Sequence, residues 1–372
     1  MSGSPADDPV VERVDVQVYT VATDAPEADG TIAWDSTTMV LVQLRSGSTV
    51  GTGWTYGPPA CAAIVNATLA PLVIGHSALD VGARFDAMVR AVRNMGRTGI
   101  AGYAISAVDV ALWDLKARLL ELPLHRLIGA VREEVDVYGS GGFTTYDEGR
   151  LREQLGGWAH GQHIPRVKIK IGESWGSAET RDLRRIAQAR EVIGDGAELF
   201  VDANGGYTAK QAIRVMQAAS EAEVRWLEEP VSSDDLAGLA LVRGAVGADV
   251  AAGEYGGDPG YFRRMCQSGA VDCLQADASR CGGVTGWLVA ASIAASFGLQ
   301  ISAHCAPHLH AHVALTVPNA RHLEWFHDHV RIESLFFDGT LDPGGGWVRP
   351  DSDAPGLGLQ LRRADAEHYR VA

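Results

Sequence analysis

Long hydrophobic runs are missing from this sequence: no apolar stretch approaches the ~20 residues that cross a bilayer, which argues against a membrane-spanning helix. An excess of basic charge is missing too. Lys and Arg number 32 against 46 Asp and Glu, a formal net charge of −14. That balance disfavours nucleic acid, whose binding relies on Lys/Arg excess, and an anionic membrane surface. It leaves an anionic small substrate open, because a bound cation can invert the local field. Cysteine is scarce. Cys61, Cys266, Cys273, Cys281 and Cys305 are odd in number and form no C-x-x-C pair, as suits free thiols in a reducing cytoplasm. The first residues, Met1 to Pro9, are small, acidic and polar, without the charged-then-apolar pattern of an export signal. The expected location is therefore cytoplasmic.

What is present is periodicity. With 372 residues and 46% apolar content, the chain can hold two domains, or one barrel with an appendage. Residues 1–9 are expected to be disordered by composition. Alternation over Val10–Val21 reads as a strand, and 37–44 and 50–56 read as a hairpin turning at Ser46-Gly47-Ser48. Thr23–Asp35, with Pro, Gly and four acids, reads as a loop. From Pro58 to Leu122 the pattern is helical, so residues 1–130 are expected to form a small α+β domain. From Val135 short apolar strands alternate with amphipathic helices. Strands are expected at 135–138, 166–171, 198–202, 225–228, 250–254, 272–276, 300–303 and 322–325, with seven helices between them. Thr208 is the expected N-cap of one of these helices. Eight equivalent units favour a parallel barrel over an open sheet, here spanning 131–337. The Gly- and Pro-rich segment 338–372 is expected to run back to the first domain.

Charges close the strands at regular intervals. Asp202, Glu228 and Glu254 are spaced 26 residues apart, about one strand, one helix and two loops. Lys168 and Lys170 lie one unit earlier, and Asp277 and His304 lie one and two units later. A charge at the end of a buried strand is costly unless paired or coordinated. A series of them suggests a metal-assisted site at the top of a barrel.

These motifs, taken in order, resemble the enolase superfamily and within it the mandelate racemase-like subgroup. The resemblance rests on Lys168-Ile-Lys170, Asp202-Ala-Asn204, Trp226-Leu-Glu228-Glu229-Pro230, Gly253-Glu254, Asp277-Ala-Ser-Arg280-Cys-Gly-Gly-Val-Thr285-Gly286, Ser302-Ala-His304 and Leu323-Glu324-Trp325, together with the Gly102–Asp114 segment. It covers nearly the whole chain. It implies an α/β fold, a modified TIM barrel (β/α)7β with an N-terminal α+β capping domain. It also implies Mg2+ and abstraction of a proton α to a carboxylate. A muconate lactonizing-type enzyme would carry a Lys at the sixth strand end, where this chain has Asp277.

The chemistry fits the residue types. The conjugate base of a carboxylate's α-carbon carries two negative charges, which a hard dication with oxygen ligands can neutralise. Asp202, Glu228 and Glu254 are the expected metal ligands. Taken singly, each would read better as a salt-bridged acid. Lys168 and Lys170 share one strand face. Their mutual repulsion is expected to lower a pKa, making Lys170 the base and Lys168 the tuning charge that contacts the substrate carboxylate. The alternative, solvated lysines on an edge strand, would turn both outward. Asp277 is expected to orient His304 as the opposing proton carrier; alone, His304 would read as a core histidine. Glu324 is expected to donate a hydrogen bond to the substrate, and so to be protonated and desolvated. Asn204, His308 and Trp34 are further expected substrate contacts, Trp34 from a 23–35 loop that closes over the site. The four acids of that loop favour hydroxyls or an amine over a second carboxylate. A zinc site at His308 and His312 is the weaker reading of the His-rich run.

The leading function is dehydration of a sugar acid to a 2-keto-3-deoxy acid. The alternatives are a racemase, epimerase or cycloisomerase of a related acid and, from another class, a barrel that binds without turnover. The expected partners are a small carboxylate substrate and, by family analogy, further copies of the chain.

Overall fold

The structure, a computed structural model, describes residues 8–372. Three antiparallel strands open the chain: β1 (Arg13–Ala28), β2 (Ala33–Ser46) and β3 (Thr49–Tyr56), in the order β1-β2-β3. The helix Ile100–Leu119 lies across this sheet, and two glycines let it come close. A Cβ on Gly51 would sit 2.4 Å from the Ala111 carbonyl oxygen, and one on Gly53 would sit 2.3 Å from that of Ala107. The same helix is fixed to the barrel side. Asp109 accepts from the Thr285 backbone N–H and hydroxyl, and Trp113 donates to Thr285 at 2.9 Å.

The loop expected over Thr23–Asp35 is corrected: most of it is hairpin. β1 runs to Ala28 and β2 starts at Ala33, with Asp29–Ile32 as the tip. Pairing jumps from Ala22↔Ser36 to Glu27↔Trp34. Pro26 falls in that gap, where its missing N–H interrupts no ladder bond. The disorder expected over residues 1–9 falls, for 1–7, outside the described residues. Pro9 is held by a bond from Ala78 N–H at 2.8 Å, and Val10 bridges to Ser77.

Eight parallel strands close into a barrel: β4 (Val135–Gly141), β5 (Arg166–Lys170), β6 (Glu198–Asp202), β7 (Val224–Glu228), β8 (Asp249–Ala252), β9 (Cys273–Ala276), β10 (Gln300–Ala303) and β11 (Ala320–Phe326). Closure is by β11 on β4, with Glu324 opposite Tyr138. Helices follow every strand, and several start with an Asp that accepts a backbone N–H of the first turn: Asp147, Asp235 and Asp258. Thr208 occupies the expected N-cap position before Ala209–Ala218, with extended backbone, although its hydroxyl makes no capping bond. The last residues return to the first sheet. Val18 N–H bonds the Ala372 carbonyl and Thr20 N–H that of Tyr369, both at 2.9 Å.

Strand periodicity places the site. On β5, Val167 and Ile169 join the apolar layer under the helices, while Lys168 and Lys170 point inward. The same alternation puts Phe200 and Asp202, Trp226 and Glu228, and His322 and Glu324 inside the barrel. Tyr138, Phe200, Trp226, Ala251 and Cys273 form an apolar plug below the charged layer.

Candidate active site

Each of the eight barrel strands delivers at least one polar side chain to the upper mouth: Ser140, Lys170, Asp202, Glu228, Glu254, Asp277, His304 and Glu324, in chain order. All are buried. The backbone just beyond several strand ends is left-handed, at Asn204 (φ 46°), Glu229 (φ 39°), Cys305 (φ 54°) and Ala306 (φ 38°). Such conformations cost about 1–3 kcal/mol each and persist where packing over-determines them. Here they turn the chain sharply just beyond β6, β7 and β10.

The lysines sit among carboxylates. Lys168 Nζ bonds Glu228, lies 2.8 Å from Glu324 Oε1 and 3.7 Å from Asp202 Oδ2. Lys170 Nζ bonds Asp202 Oδ2. The expected lowering of a lysine pKa by mutual repulsion is therefore corrected. Burial does favour neutral amines, but Glu228, Glu324 and Asp202 outweigh it for Lys168, and Asp202 leads for Lys170, so both are raised. Burial also works against the charge of Asp202, yet Lys170 and Lys168 hold it below the ordinary carboxylate range. Burial pushes Glu228 up to about 8 despite Lys168.

Asp202, Glu228 and Glu254 each offer an oxygen, and these oxygens lie within 4.8 Å of one another. Glu254 Oε1 accepts from Arg280 Nη1 at 3.1 Å, while Oε2 is buried without a hydrogen-bond partner. An oxygen-only donor set with an orphaned buried oxygen fits a hard divalent cation.

On the far side, His304 Nδ1 is 2.9 Å from Asp277 Oδ2, and Ser279 N–H and hydroxyl both donate to Asp277 Oδ1 at 2.7 Å. The other ring nitrogen, Nε2, lies 3.3 Å from Glu254 Oε2 and 3.8 Å from Glu324 Oε2. Burial disfavours the imidazolium, but Glu254 and Glu324 prevail and raise His304. The expected protonated state of Glu324 is corrected. Burial favours it, but Lys168 and His304 keep this carboxyl well below its usual range, and Ser140 and the Cys305 N–H both donate to it.

A cavity of about 410 Å3 opens above this ring. Lys170, Asn204, Glu254, Arg280, His304 and Glu324 form its floor. The sheet domain supplies Trp34, Thr37 and Tyr56 to its roof. Lys168 does not line it, being fully buried beneath. The expectation for His308 is corrected: its Nδ1 bonds Glu333 and its ring packs 5.3 Å from Trp325, away from the cavity. His312 Nδ1 faces His125 at 3.2 Å and Nε2 the Leu357 carbonyl, so His308 and His312 share no ion. Sequence reasoning missed Ser140, legible as the next inward position after Tyr138. It also missed Glu229, which takes the Ser233 hydroxyl and which burial raises well above the usual range. His329 was missed for want of any local signal.

The mandelate racemase/muconate lactonizing enzyme N-terminal domain family matches residues 13–129, and the enolase C-terminal domain-like family matches 150–366. The L-talarate/galactarate dehydratase of Salmonella typhimurium is 31% identical over 87% of this chain and 80% of its own length. The structure of a mandelate racemase/muconate lactonizing enzyme-like protein from Rubrobacter xylanophilus is 50% identical, with a TM-score of 0.94, covering 98% of this chain and 100% of its own. A racemase from Streptomyces coelicolor with bound magnesium is 28% identical, with a TM-score of 0.90, covering 97% and 100%.

Proposed function

The chain belongs to the mandelate racemase/muconate lactonizing enzyme family of the enolase superfamily, and from that premise we propose that it removes the proton α to the carboxylate of a sugar acid and expels the β-hydroxyl to give a 2-keto-3-deoxy acid. One observation carries the reading: two proton carriers from separated strands, Lys170 on β5 and His304 beyond β10, line one cavity beside a tight group of three carboxylates.

Asp202, Glu228 and Glu254 would hold Mg2+. Bound there, the ion would supply positive charge that stabilises the substrate carboxylate as the α-proton leaves, and it would compete with Lys168 and Lys170 for Glu228 and Asp202. Lys170 is raised by Asp202 here; with that carboxylate committed to the cation, it would take the α-proton as a neutral amine. The electron pair left on the α-carbon moves toward the carboxylate, then returns to expel the β-hydroxyl. That hydroxyl takes a proton from His304 and leaves as water, and the resulting enol tautomerises to the keto acid. Asp277 fixes the His304 tautomer and stabilises its charged form. Lys168, beneath the cavity, keeps Glu324 anionic and holds Glu228 in place. Trp34 and Asn204 complete the walls that exclude water and orient the substrate.

A second reading is a racemase, epimerase or cycloisomerase. It is favoured by the same pair of carriers, since removal at one face and return at the other needs both. Incubation of sugar acids with enzyme and Mg2+ in D2O separates the readings. A 2-keto-3-deoxy product supports dehydration; deuterium incorporation with inversion and no keto product moves the assignment to the second. Unaltered activity in Lys170→Ala and Asp202→Asn would remove both. The reading extends, by family analogy, to a cytoplasmic homo-oligomer, which sedimentation as a monomer would overturn.

A further inference from the structure

The opposite end of the same cavity has a chemistry of its own, and what it selects rests on the function proposed above. Among the described residues that line the cavity, Lys170 and Arg280 are the permanent cations, and both belong to the floor. Lys170 is engaged by Asp202, and Arg280 by Glu254 at 3.1 Å and Asp277 at 3.4 Å. The roof is Ile32, Trp34, Thr37, Tyr56 and His329, and its formal charge is Asp29 at the tip of the β1–β2 hairpin.

The roof's polar groups are mostly committed. Trp34 Nε1 donates to Glu27 at 2.8 Å, Tyr56 OH to Glu333 at 3.0 Å, and the Thr37 hydroxyl to Asp328. His329 is not a hidden cation. Its Nδ1 accepts from Ala306 N–H at 3.2 Å and its ring stacks 3.4 Å from Tyr56. Burial, the main cause, draws its pKa down to about 3. The imidazole can therefore offer one neutral N–H from Nε2. The three bonds that Asp29 receives, from Thr31 N–H, Thr31 hydroxyl and Ile32 N–H, all fall on Oδ1.

What remains for a ligand is aromatic surface, hydroxyl oxygens, one imidazole N–H and a carboxylate. Behind that surface lie three fully buried acids: Glu27, raised by burial to about 8, Asp328, which pairs with Arg331 at 2.6 Å, and Glu333, which pairs with His308. Carbon-bound hydrogens and hydroxyls suit such a wall. A second substrate carboxylate would lose its water there and find no opposite charge, which is strongly unfavourable.

We propose that this chain acts on monocarboxylic sugar acids whose far end is a hydroxymethyl or methyl group and rejects dicarboxylic ones, with Asp29 and the cation-free roof as the discriminating features. The floor takes the single carboxylate, and the roof reads the neutral end.

The test uses the Mg2+-loaded full chain and six-carbon acids in matched pairs, identical from C2 to C5, with either CH2OH or carboxylate at C6. α-Proton exchange in D2O and keto-acid formation are measured for both members. The monoacid of the best pair is expected to exceed its diacid by about 100-fold or more in kcat/KM, since a site that leaves a buried charge unpaired discriminates strongly. Asp29→Asn keeps the Oδ1 acceptor and removes the charge, and is expected to narrow that ratio about fivefold. Ile32→Arg, on the exposed tip, is expected to narrow it about tenfold or more by supplying the missing cation. A diacid turned over as well as its monoacid partner overturns this inference and leaves the proposed function standing. Absence of exchange with every acid in both series overturns the two together.

Discussion

On β6, Phe200 and Asp202 are two residues apart, point the same way and are equally buried, yet they meet opposite surroundings. Phe200 stacks on Trp226 at 5.5 Å and leans on Tyr138 at 5.4 Å. Asp202 meets two ammonium groups and a backbone N–H. The pattern repeats on β7 with Trp226 and Glu228, and on β11 with His322 and Glu324. The lower ring gains free energy from burial. The upper ring must recover the cost of desolvating charge from its own pairings, and its desolvated charges are what chemistry can use. One backbone period thus builds a stabilising layer and an expensive working layer a single step apart.

The largest test separates the two rings. Replacing the ion pair as a unit, Lys170→Met with Asp202→Leu, is expected to lower activity at least about 10^4-fold while the thermal midpoint holds or rises, because apolar residues of similar volume tolerate such sites well. An unfolding curve shifted sharply down would break the comparison. Removing Mg2+ with a chelator is expected to abolish turnover, with return on Mg2+ but not on K+, read by the D2O exchange assay. In the lower ring, Phe200→Ala is expected to cost about 3–5 kcal/mol in urea unfolding, with a much smaller change in kcat/KM for the fraction that stays folded. Asp277→Asn acts through His304 and is expected to lower kcat about 10–100-fold and shift its pH profile.

The smallest expected effect on turnover lies outside both rings. Glu27 is buried at the sheet–barrel junction, and burial first, then Asp328, raises it to about 8 from an ordinary 4.5. Between those pH values the folded protein keeps a proton that the unfolded chain has lost. Stability therefore falls as pH rises through this window, by up to about 1.4 kcal/mol per unit, and levels above it. Glu27→Gln is expected to flatten that slope in urea titrations at pH 5, 6.5 and 8. An unchanged slope would place the titration elsewhere.

Much of this was legible in the sequence because it depends on local period and regular spacing. Alternation located the eight strands to within a few residues, and the 26-residue interval placed Asp202, Glu228 and Glu254 on successive ones. What was not legible depended on distant partners. Two lysines on one strand face read as a repelling pair, since their neutralising acids come from β6, β7 and β11. Glu324 read as a desolvated acid for the same reason, its partner Lys168 being far away in sequence. His308 looked available until Glu333, on the helix His327–Phe336, claimed it. The 23–35 segment read as a loop because Pro26 and the acids are breakers by composition, whereas an unpaired gap absorbs the proline and burial absorbs Glu27.

The edge of β1 is finished by Tyr369–Ala372, and the barrel shuts only when β11 reaches β4. Both seams join segments far apart in the chain, residues 18–20 with 369–372 and 137–140 with 323–326, so during synthesis each stays open until its later segment is made. The first sheet and the nascent barrel would then present unpaired edges to whatever is nearby. Assembly of this molecule should be slow, dominated by late long-range docking, and sensitive to changes at Val18 or Tyr369 that leave the finished catalyst untouched.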